Sequence, residues 1–488
     1  MKRREFNQSM LTLGLGARTG FFAENQAFPA DKKTEEYYEE APKRLRVRRF
    51  DVAVAGAGTA GVVAALAAAR TGANTVLIEV KGYPGGTVTE GGTALHSYYN
   101  LWKEFGVEKR QVVKGIAQEI IDRLIKVGGT SGHAEMSKGY GYDSVCTAVD
   151  TELFKLVTFE MLVEAGVFVC VNTLVAGAIR KGSLLQGVIV ESRSGREAFY
   201  AKSFIDCTAY GDLCAYAGAK FSEPNDYPVV NSIGLANVSV EKLRDFLDKN
   251  NAVTDLAYGR RSGKEDQIVR IGGTLAKIPG DFSEEAGKIG LSMVTTTVHD
   301  NYFMFIKLNI DISASPTDRD VVAKAELDLR QRQFKAMELF RKYVPGCEKA
   351  FIARTSPKLC IRRGRLIKCD YDITLPDIIE ARHFDDDVMA YGFHDSAPRL
   401  QIRNGGTYGI PYRSLRVTGI ENLLAAGMLI TSDHEAHMST RNTVCCFGQG
   451  QAAGTAAALC VKKKCGTREL SYGDLRRALE KGNVYFEK

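Results

Sequence analysis

Asp51-Val52-Ala53-Val54-Ala55-Gly56-Ala57-Gly58-Thr59-Ala60-Gly61 is the stretch of this 488-residue chain that decides its fold. A short apolar run leads into G-x-G-x-x-G, and an alanine-rich segment, Val62 to Arg70, follows, so the spacing predicts strand, tight turn and helix. Gly56 permits the turn, Gly58 lets the backbone approach a pyrophosphate, and Gly61 lets the helix pack closely on the strand. Thr59 and Ala60 then sit in the first helical turn, whose free N–H groups and dipole favour negative charge. Thr71-Gly72-Ala73 closes the helix, and Asn74 to Val80 returns as a second strand. It ends on Glu79, placed roughly 20 residues past the first glycine, where the acid that binds a ribose hydroxyl is expected. The whole constellation points to a dinucleotide; Gly-x-Gly alone would not.

Directly after Glu79 and Val80 comes a second glycine-rich loop, Gly82-Tyr83-Pro84-Gly85-Gly86-Thr87. A classical NAD domain would continue there into another helix. Such a loop resembles the one that runs under the pyrophosphate and isoalloxazine of flavoproteins of the glutathione-reductase and fumarate-reductase type. The chain thus looks like a member of the bacterial FAD-dependent oxidoreductase family related to fumarate-reductase flavoproteins, and the likeness continues after residue 50. Val112 to Ile120 resembles that family's helix after the flavin loop. Asp150 to Lys155 resembles the start of the helix leading back to the nucleotide domain, followed by a strand from Phe168 to Asn172. The resemblance places Val175 against the adenine. Phe204 to Asp212 resembles an Asp-Ala-Thr-Gly-Asp element that passes close to FAD; Asp206, Thr208, Gly211 and Asp212 match, while Ala209 and Tyr210 depart from it, leaving cofactor contact at those two unsupported.

Toward the C-terminus, Tyr408 to Leu415, Glu421 to Gly427 and Gly448 to Ala457 follow the family's order. The resemblance implies that the chain returns here to complete the nucleotide domain. Asn422 to Ala426 reads as a buried strand, with Gly427 passing near the phosphates. Small residues after Gln449 and Gly450 are expected to begin a helix aimed at the flavin pyrimidine ring, its dipole facing N1 and O2 of the reduced ring. Met428 stands where the family commonly has arginine.

The implied architecture is α/β: a glutathione-reductase-type FAD-binding Rossmann domain of three layers, built from discontinuous segments, with an inserted α+β substrate or cap domain. The expected boundaries are residues 50–220 and 404–488 for the FAD domain and 221–403 for the insertion. Within the insertion, Arg319 to Tyr343 is predicted as a long helix stopped by Pro345-Gly346. The length fits two interwoven domains rather than one core.

Residues 1–30 resemble a twin-arginine export signal: Lys2, Arg3 and Arg4, then Phe6, then an apolar stretch from Met10 to Ala17 broken by Arg18. An exported or periplasmic location is expected on that reading; a disordered cytoplasmic N-terminus is the alternative. Residues 31–49, acidic and then basic, read as a solvated linker. No later stretch is expected to span a bilayer.

The net charge of +7 is spread over a long chain, much of it in two N-terminal clusters, and no nucleic-acid motif accompanies them. Nucleic acid is therefore not an expected partner. Eleven cysteines without a C-x-x-C pair suggest free core thiols, not a metal or iron-sulfur site. Asp433-His434-Glu435-Ala436-His437 lacks the i, i+4 histidine spacing of a zinc helix.

Catalytic candidates lie elsewhere. Ile361 to Ile367 resembles a basic family motif near the active site, with Arg362 and Arg365 matching and Leu366 replacing a third arginine. These arginines would clamp a carboxylate or polarise a carbonyl, or else only pair with nearby acids. His394 is the first choice of base for removing a substrate hydroxyl or amine proton, and His96 the second. The loop after Gly427 would put His434, His437 or Ser439 against the ring or phosphates.

The expected function is hydride transfer between a small polar substrate and flavin N5, by a dehydrogenase or an oxidase. No second strand with G-x-G-x-x-G occurs, so electrons are expected to leave to a quinone, a redox protein or dioxygen rather than to NADPH. The alternatives are a fumarate-reductase-like reduction of a double bond and a non-catalytic flavin-binding electron-relay subunit. Oligomeric state is left open by the sequence.

Overall fold

Four buried residues, Val52–Ala55, make the central strand (β1) of a five-stranded parallel sheet in this computed structural model, which describes residues 37–395 and 400–487. The expected export signal lies outside the described residues. Tyr37 to Arg44 carry no helix or strand, while Leu45–Lys488 form a separate compact unit. β1 leads to helix α1 (Thr59–Arg70), β2 (Thr75–Ile78), helix α2 (Thr151–Glu164), β3 (Phe168–Cys170), β4 (Ser203–Asp206) and β5 (Leu423–Ala425). Their spatial order is β5-β4-β1-β2-β3, every pair parallel. This is the doubly wound order, whose strands read as near-continuous apolar runs because both faces are covered.

Helix α2 starts where expected: Asp150 is its N-cap, and its carboxylate accepts from the N–H groups of Glu152 and Leu153 at 2.8 and 2.9 Å. The C-terminal return adds β5 and a 21-residue helix, Thr443–Lys463, here α4 after the long helix α3 (Arg319–Tyr343). The α3 bounds coincide with the sequence expectation, with Asp318 as N-cap. By length and composition α4 is apolar enough to cross a membrane, contrary to the expectation that no stretch is; it is a core helix, with 15 of its 21 residues buried. Its glycines press on α1: a Cβ at Gly450 would lie 2.2 Å from the Ala60 carbonyl oxygen, and one at Gly454 2.1 Å from that of Ala64.

Among the described residues, three larger sheets and two two-stranded ones accompany this layer. A four-stranded sheet joins Arg46–Arg49 to the meander Leu174–Lys181, Leu184–Ser192 and Gly195–Tyr200. Arg46–Arg49 was expected as linker; it is a strand because it pairs in parallel with Gly195–Tyr200 and its Arg46 and Arg48 meet Glu197. A second four-stranded sheet contains Val229–Ala236, Tyr302–Ile310 and Phe351–Thr355, backed by α3. A six-stranded sheet combines Val253–Arg261, Lys264–Gly273 and Val294–Thr296 with Leu95–His96, Ala134–Lys138 and Val145–Thr147. Strands from before residue 220 therefore share a sheet with strands from after it, and a boundary at 220 does not separate the layers. The nucleotide layer and the 229–361 region keep distinct apolar cores.

Candidate functional site

The β1–α1 turn is shaped by backbone contacts that only glycine allows. Gly56 has φ +89°, and a Cβ there would meet the Cys207 carbonyl oxygen at 2.5 Å. A Cβ at Gly61 would sit 1.7 Å from the Gly56 oxygen, so this glycine serves helix packing and does not itself face the cleft. At Gly58 nothing lies within 4 Å. Gly58 is the N-cap of α1 and no side chain caps it, leaving the first-turn N–H groups open to an anion.

Glu79, at the end of β2, accepts from the Ala57 N–H at 2.7 Å and the Lys81 N–H at 2.9 Å. The second glycine loop lies on the first: the Gly85 N–H donates to the Ala57 carbonyl at 2.8 Å, and a Cβ at Gly86 would lie 2.7 Å from Gly58 Cα. Between these elements runs a cleft of about 420 Å³. Of the residues expected to bind the cofactor, Gly56, Gly58, Thr59, Ala60, Glu79, Val80, Gly86, Thr87, Val175, Thr208 and Gly427 line it. Ala209 and Tyr210 line it too, although their departure from the family pattern had removed the support for contact; Ala209 adopts the glycine-like φ of +65°.

Five expected cofactor residues stand behind the wall instead. Gly61 and Gly85 join backbone to backbone, as described above. Gln449 is fully buried; its Oε1 accepts from the Gly427 N–H at 2.7 Å and its Nε2 donates to the Thr440 carbonyl at 2.8 Å. Gly450 lies in mid-helix against Ala60, because α4 begins at Thr443 with Asn442 as N-cap, not after Gly450. The end of α4 that reaches the cleft is therefore Thr443 and Cys446. Ser439 is buried, bonded to the Phe393 carbonyl and to Tyr408 Oη. It belongs to a helix, His434–Thr440, where a loop against the flavin was expected. His437 is buried with Nε2–H donating to the Arg362 carbonyl at 2.7 Å, and His434 pairs with Asp226; neither lines the cleft.

A second cavity of about 370 Å³ adjoins the cleft and shares Thr87, Cys360, Ile361, Met428, Arg441 and Thr443 with it. His96 and Arg362 line this cavity. His394 does not: it is buried, and its Nε2–H is directed to the Glu435 carbonyl at 2.9 Å, so the first-choice base is not brought to either cavity. Its neighbour Asp395 lines the wall in its place. Arg365 borders the cleft, but its guanidinium is occupied by Asp212 and Glu223, both at 3.0 Å, and by the Tyr210 carbonyl at 3.2 Å. The two arginines of one motif thus part company: Arg362 faces the second cavity, Arg365 holds acids.

His96 Nδ1 lies 2.7 Å from the buried Asp143 carboxylate. With the proton on Nδ1 donated to Asp143, the Nε2 lone pair accepts from Arg270 Nη1 at 3.3 Å, and both residues line the cavity. Arg270 also donates to Tyr142 Oη at 2.6 Å. Asp143, Arg270, Lys307, Asn231, Asp395 and Arg441 were not singled out from sequence. Each comes from a different element, and no local motif marks them.

Lys81 and Lys358 border the cleft near Glu79. Burial, reinforced by the Lys358 charge, brings the Lys81 ammonium down to about 7, against the pull of Glu79.

A family model described as FAD dependent oxidoreductase matches residues 51–479. No curated protein matches the sequence. Solved structures that resemble this one include a geranylgeranyl bacteriochlorophyll reductase-like protein from Thermoplasma acidophilum, 13% identical over 89% of this chain and 83% of that one, with a TM-score of 0.46. A flavoprotein/dehydrogenase from Cytophaga hutchinsonii is 11% identical over 85% of this chain and 79% of that one, with a TM-score of 0.44. p-Nitrophenol 4-monooxygenase PnpA from Pseudomonas putida DLL-E4 is 10% identical over 90% and 89%, with a TM-score of 0.42.

Proposed function

Since this chain belongs to the FAD dependent oxidoreductase family and is an enzyme whose cofactor is FAD, we propose that it oxidises a small polar substrate held in the cavity beside the cleft. The observation that carries this reading is the continuity of the two spaces: residues that line the nucleotide cleft also line a polar cavity containing a carboxylate-oriented histidine. Gly58, the uncapped start of α1, Glu79 and the Gly86 loop would hold the dinucleotide. Within the family, that stacking of one glycine loop on the other supports a relationship to the glutathione-reductase and fumarate-reductase type.

Bound FAD supplies a two-electron acceptor that takes a hydride at N5. The chain's own part is to orient the substrate and receive its hydroxyl or amine proton. His96 Nε2 is the group for that proton once the substrate takes the place of the long 3.3 Å Arg270 contact, with Asp143 fixing the tautomer and steadying the imidazolium that forms. Arg270 orients both His96 and Tyr142. Asn442 and Thr443 bring the positive end of α4 to the same wall, suited to negative charge on a bound group. Electrons would then pass to a quinone, a redox protein or dioxygen, a reading supported by the single strand-G-x-G-x-x-G unit in the sequence.

An anaerobic screen of hydroxy acids, amines and sugars that follows bleaching of the flavin tests the proposal. His96→Gln is expected to slow bleaching by about 100-fold or more while retaining bound flavin. A flavin that no donor bleaches, or a His96→Gln rate equal to wild type, would overturn it.

One observation favours a second reading, reduction of an activated double bond with Arg362 giving the proton. Burial and the neighbouring Arg441 charge bring the Arg362 guanidinium down to about 10. Photoreduced protein that is reoxidised by unsaturated acids, but not bleached by any alcohol or amine, would select this reading.

A further inference from the structure

The wall of the second cavity carries more cationic donors than its own carboxylates can use. Arg441 pairs with Asp395, and Arg270 reaches Asp255 at 3.4 Å. Arg362 and Lys307 remain. Among the described residues, no carboxylate lies within ion-pair distance of either. Lys307 comes from strand Tyr302–Ile310 and Arg362 from the segment before Leu366, so two separate elements direct surplus positive charge at one space.

A further donor points the same way. Asn231 is fully buried on the neighbouring strand and lines the cavity; its Oδ1 accepts from Gln333, while its Nδ2 has no acceptor. Arg270 Nε and Arg441 Nε are likewise buried without one. Orphaned buried donors are costly, so several around one cavity describe the ligand they await: small, anionic and rich in acceptor oxygens.

Resting on the flavin-enzyme reading above, we propose that the substrate is an organic acid whose carboxylate is taken between Arg362 and Lys307, with the Asn231 amide donating to a further oxygen. The electrostatics support this. Burial lowers the Lys307 ammonium to about 8, helped by the Arg362, Arg441 and Arg270 charges and opposed by Asp395. Burial and Arg441 lower Arg362 likewise, again against Asp395. A bound carboxylate would relieve both groups, and charge-assisted bonds of this kind are about twice as strong as neutral ones. The cavity's volume suits a small molecule.

The test uses the purified FAD-loaded protein, titrated with the non-reducing probes acetate, malonate, methylphosphonate, acetamide and glycerol while the visible flavin band is followed. Acetate and malonate are expected to give saturable shifts that weaken with added salt, and acetamide and glycerol none at equal concentration. Arg362→Gln and Lys307→Gln, each checked for retained flavin and unchanged melting, should weaken malonate binding at least about 10-fold. Equal binding of neutral probes overturns the proposal, as does unchanged malonate binding in both variants. Tighter binding of methylphosphonate than of either carboxylate overturns the carboxylate assignment. The wild-type titration decides the matter even if a variant fails to fold. A preparation without flavin would defeat the cofactor reading; flavin bleached by neutral donors but blind to every anion would defeat this inference alone.

Discussion

The Ala57 N–H donates to Glu79 Oε2 at 2.7 Å, tying the glycine turn to the acid at the end of the next strand. The other carboxylate oxygen accepts from the Lys81 N–H. Glu79 therefore satisfies two backbone donors while lining the cleft, where the proposed function has it present oxygen to a ribose. Glu79→Gln would set an amide donor against one of those N–H groups. We expect it to destabilise the protein by about 1–3 kcal/mol and to weaken FAD binding about 10-fold or more. Calorimetric melting and flavin release on dilution measure the two effects, and wild-type values in both would refute the assignment.

Gly58 and Gly61 separate binding from folding. A methyl at Gly58 meets no protein atom, whereas one at Gly61 would overlap the Gly56 oxygen. Gly58→Ala should leave the melting of flavin-free protein unchanged and weaken FAD at least about 10-fold, because the methyl occupies the approach to the uncapped helix start. Gly61→Ala should destabilise even the flavin-free protein, on the order of 3 kcal/mol. Reversal of the two phenotypes would sink this division of labour.

Gln449 acts through Gly427. Its side chain bridges the Gly427 N–H and the Thr440 carbonyl inside the core. Gln449→Leu leaves both without a partner, at a cost of about 1–3 kcal/mol for each buried group. Urea denaturation should show that loss, and the flavin spectrum of the folded fraction should shift because Gly427 lines the cleft. A stable variant with an unaltered spectrum would contradict it.

His437 makes stability depend on pH. Burial, then the Arg441 charge, holds its imidazole well below the ordinary histidine value, against the bond to the Arg362 carbonyl. The unfolded chain takes up a proton here below about pH 6.5 and the folded chain does not. Stability is thus present above that pH and lost as pH falls below it. His133, brought down to about 4 by burial, has the same sign. His437→Gln, which can still donate to Arg362, should flatten the fall in melting temperature between about pH 6.5 and 5 without abolishing it. An identical slope in the variant would exclude His437 as a contributor.

The sequence by itself determined the nucleotide layer. Gly56, Gly58, Gly61 and Glu79 are a local code, since a turn with positive φ and a helix packed on a strand admit no side chain at set positions. α3 was legible for a similar reason, its cap and stop lying in the chain itself. Tertiary structure decided what faces the cleft and the adjoining cavity. Gln449, Gly450 and Ser439 carry the right motif yet sit one layer behind the cleft, because α4 begins at Thr443 and its glycines press against α1. His394 and Asp395 are adjacent in sequence, but the backbone turns the histidine to the Glu435 carbonyl and leaves the aspartate on the cavity wall. His96, Asn231, Arg270, Lys307, Arg362 and Arg441 come from separate strands, loops and a helix end. The positive charge of Arg270, Lys307, Arg362 and Arg441 is concentrated only where strand pairing gathers them, and no spacing along the chain records that meeting.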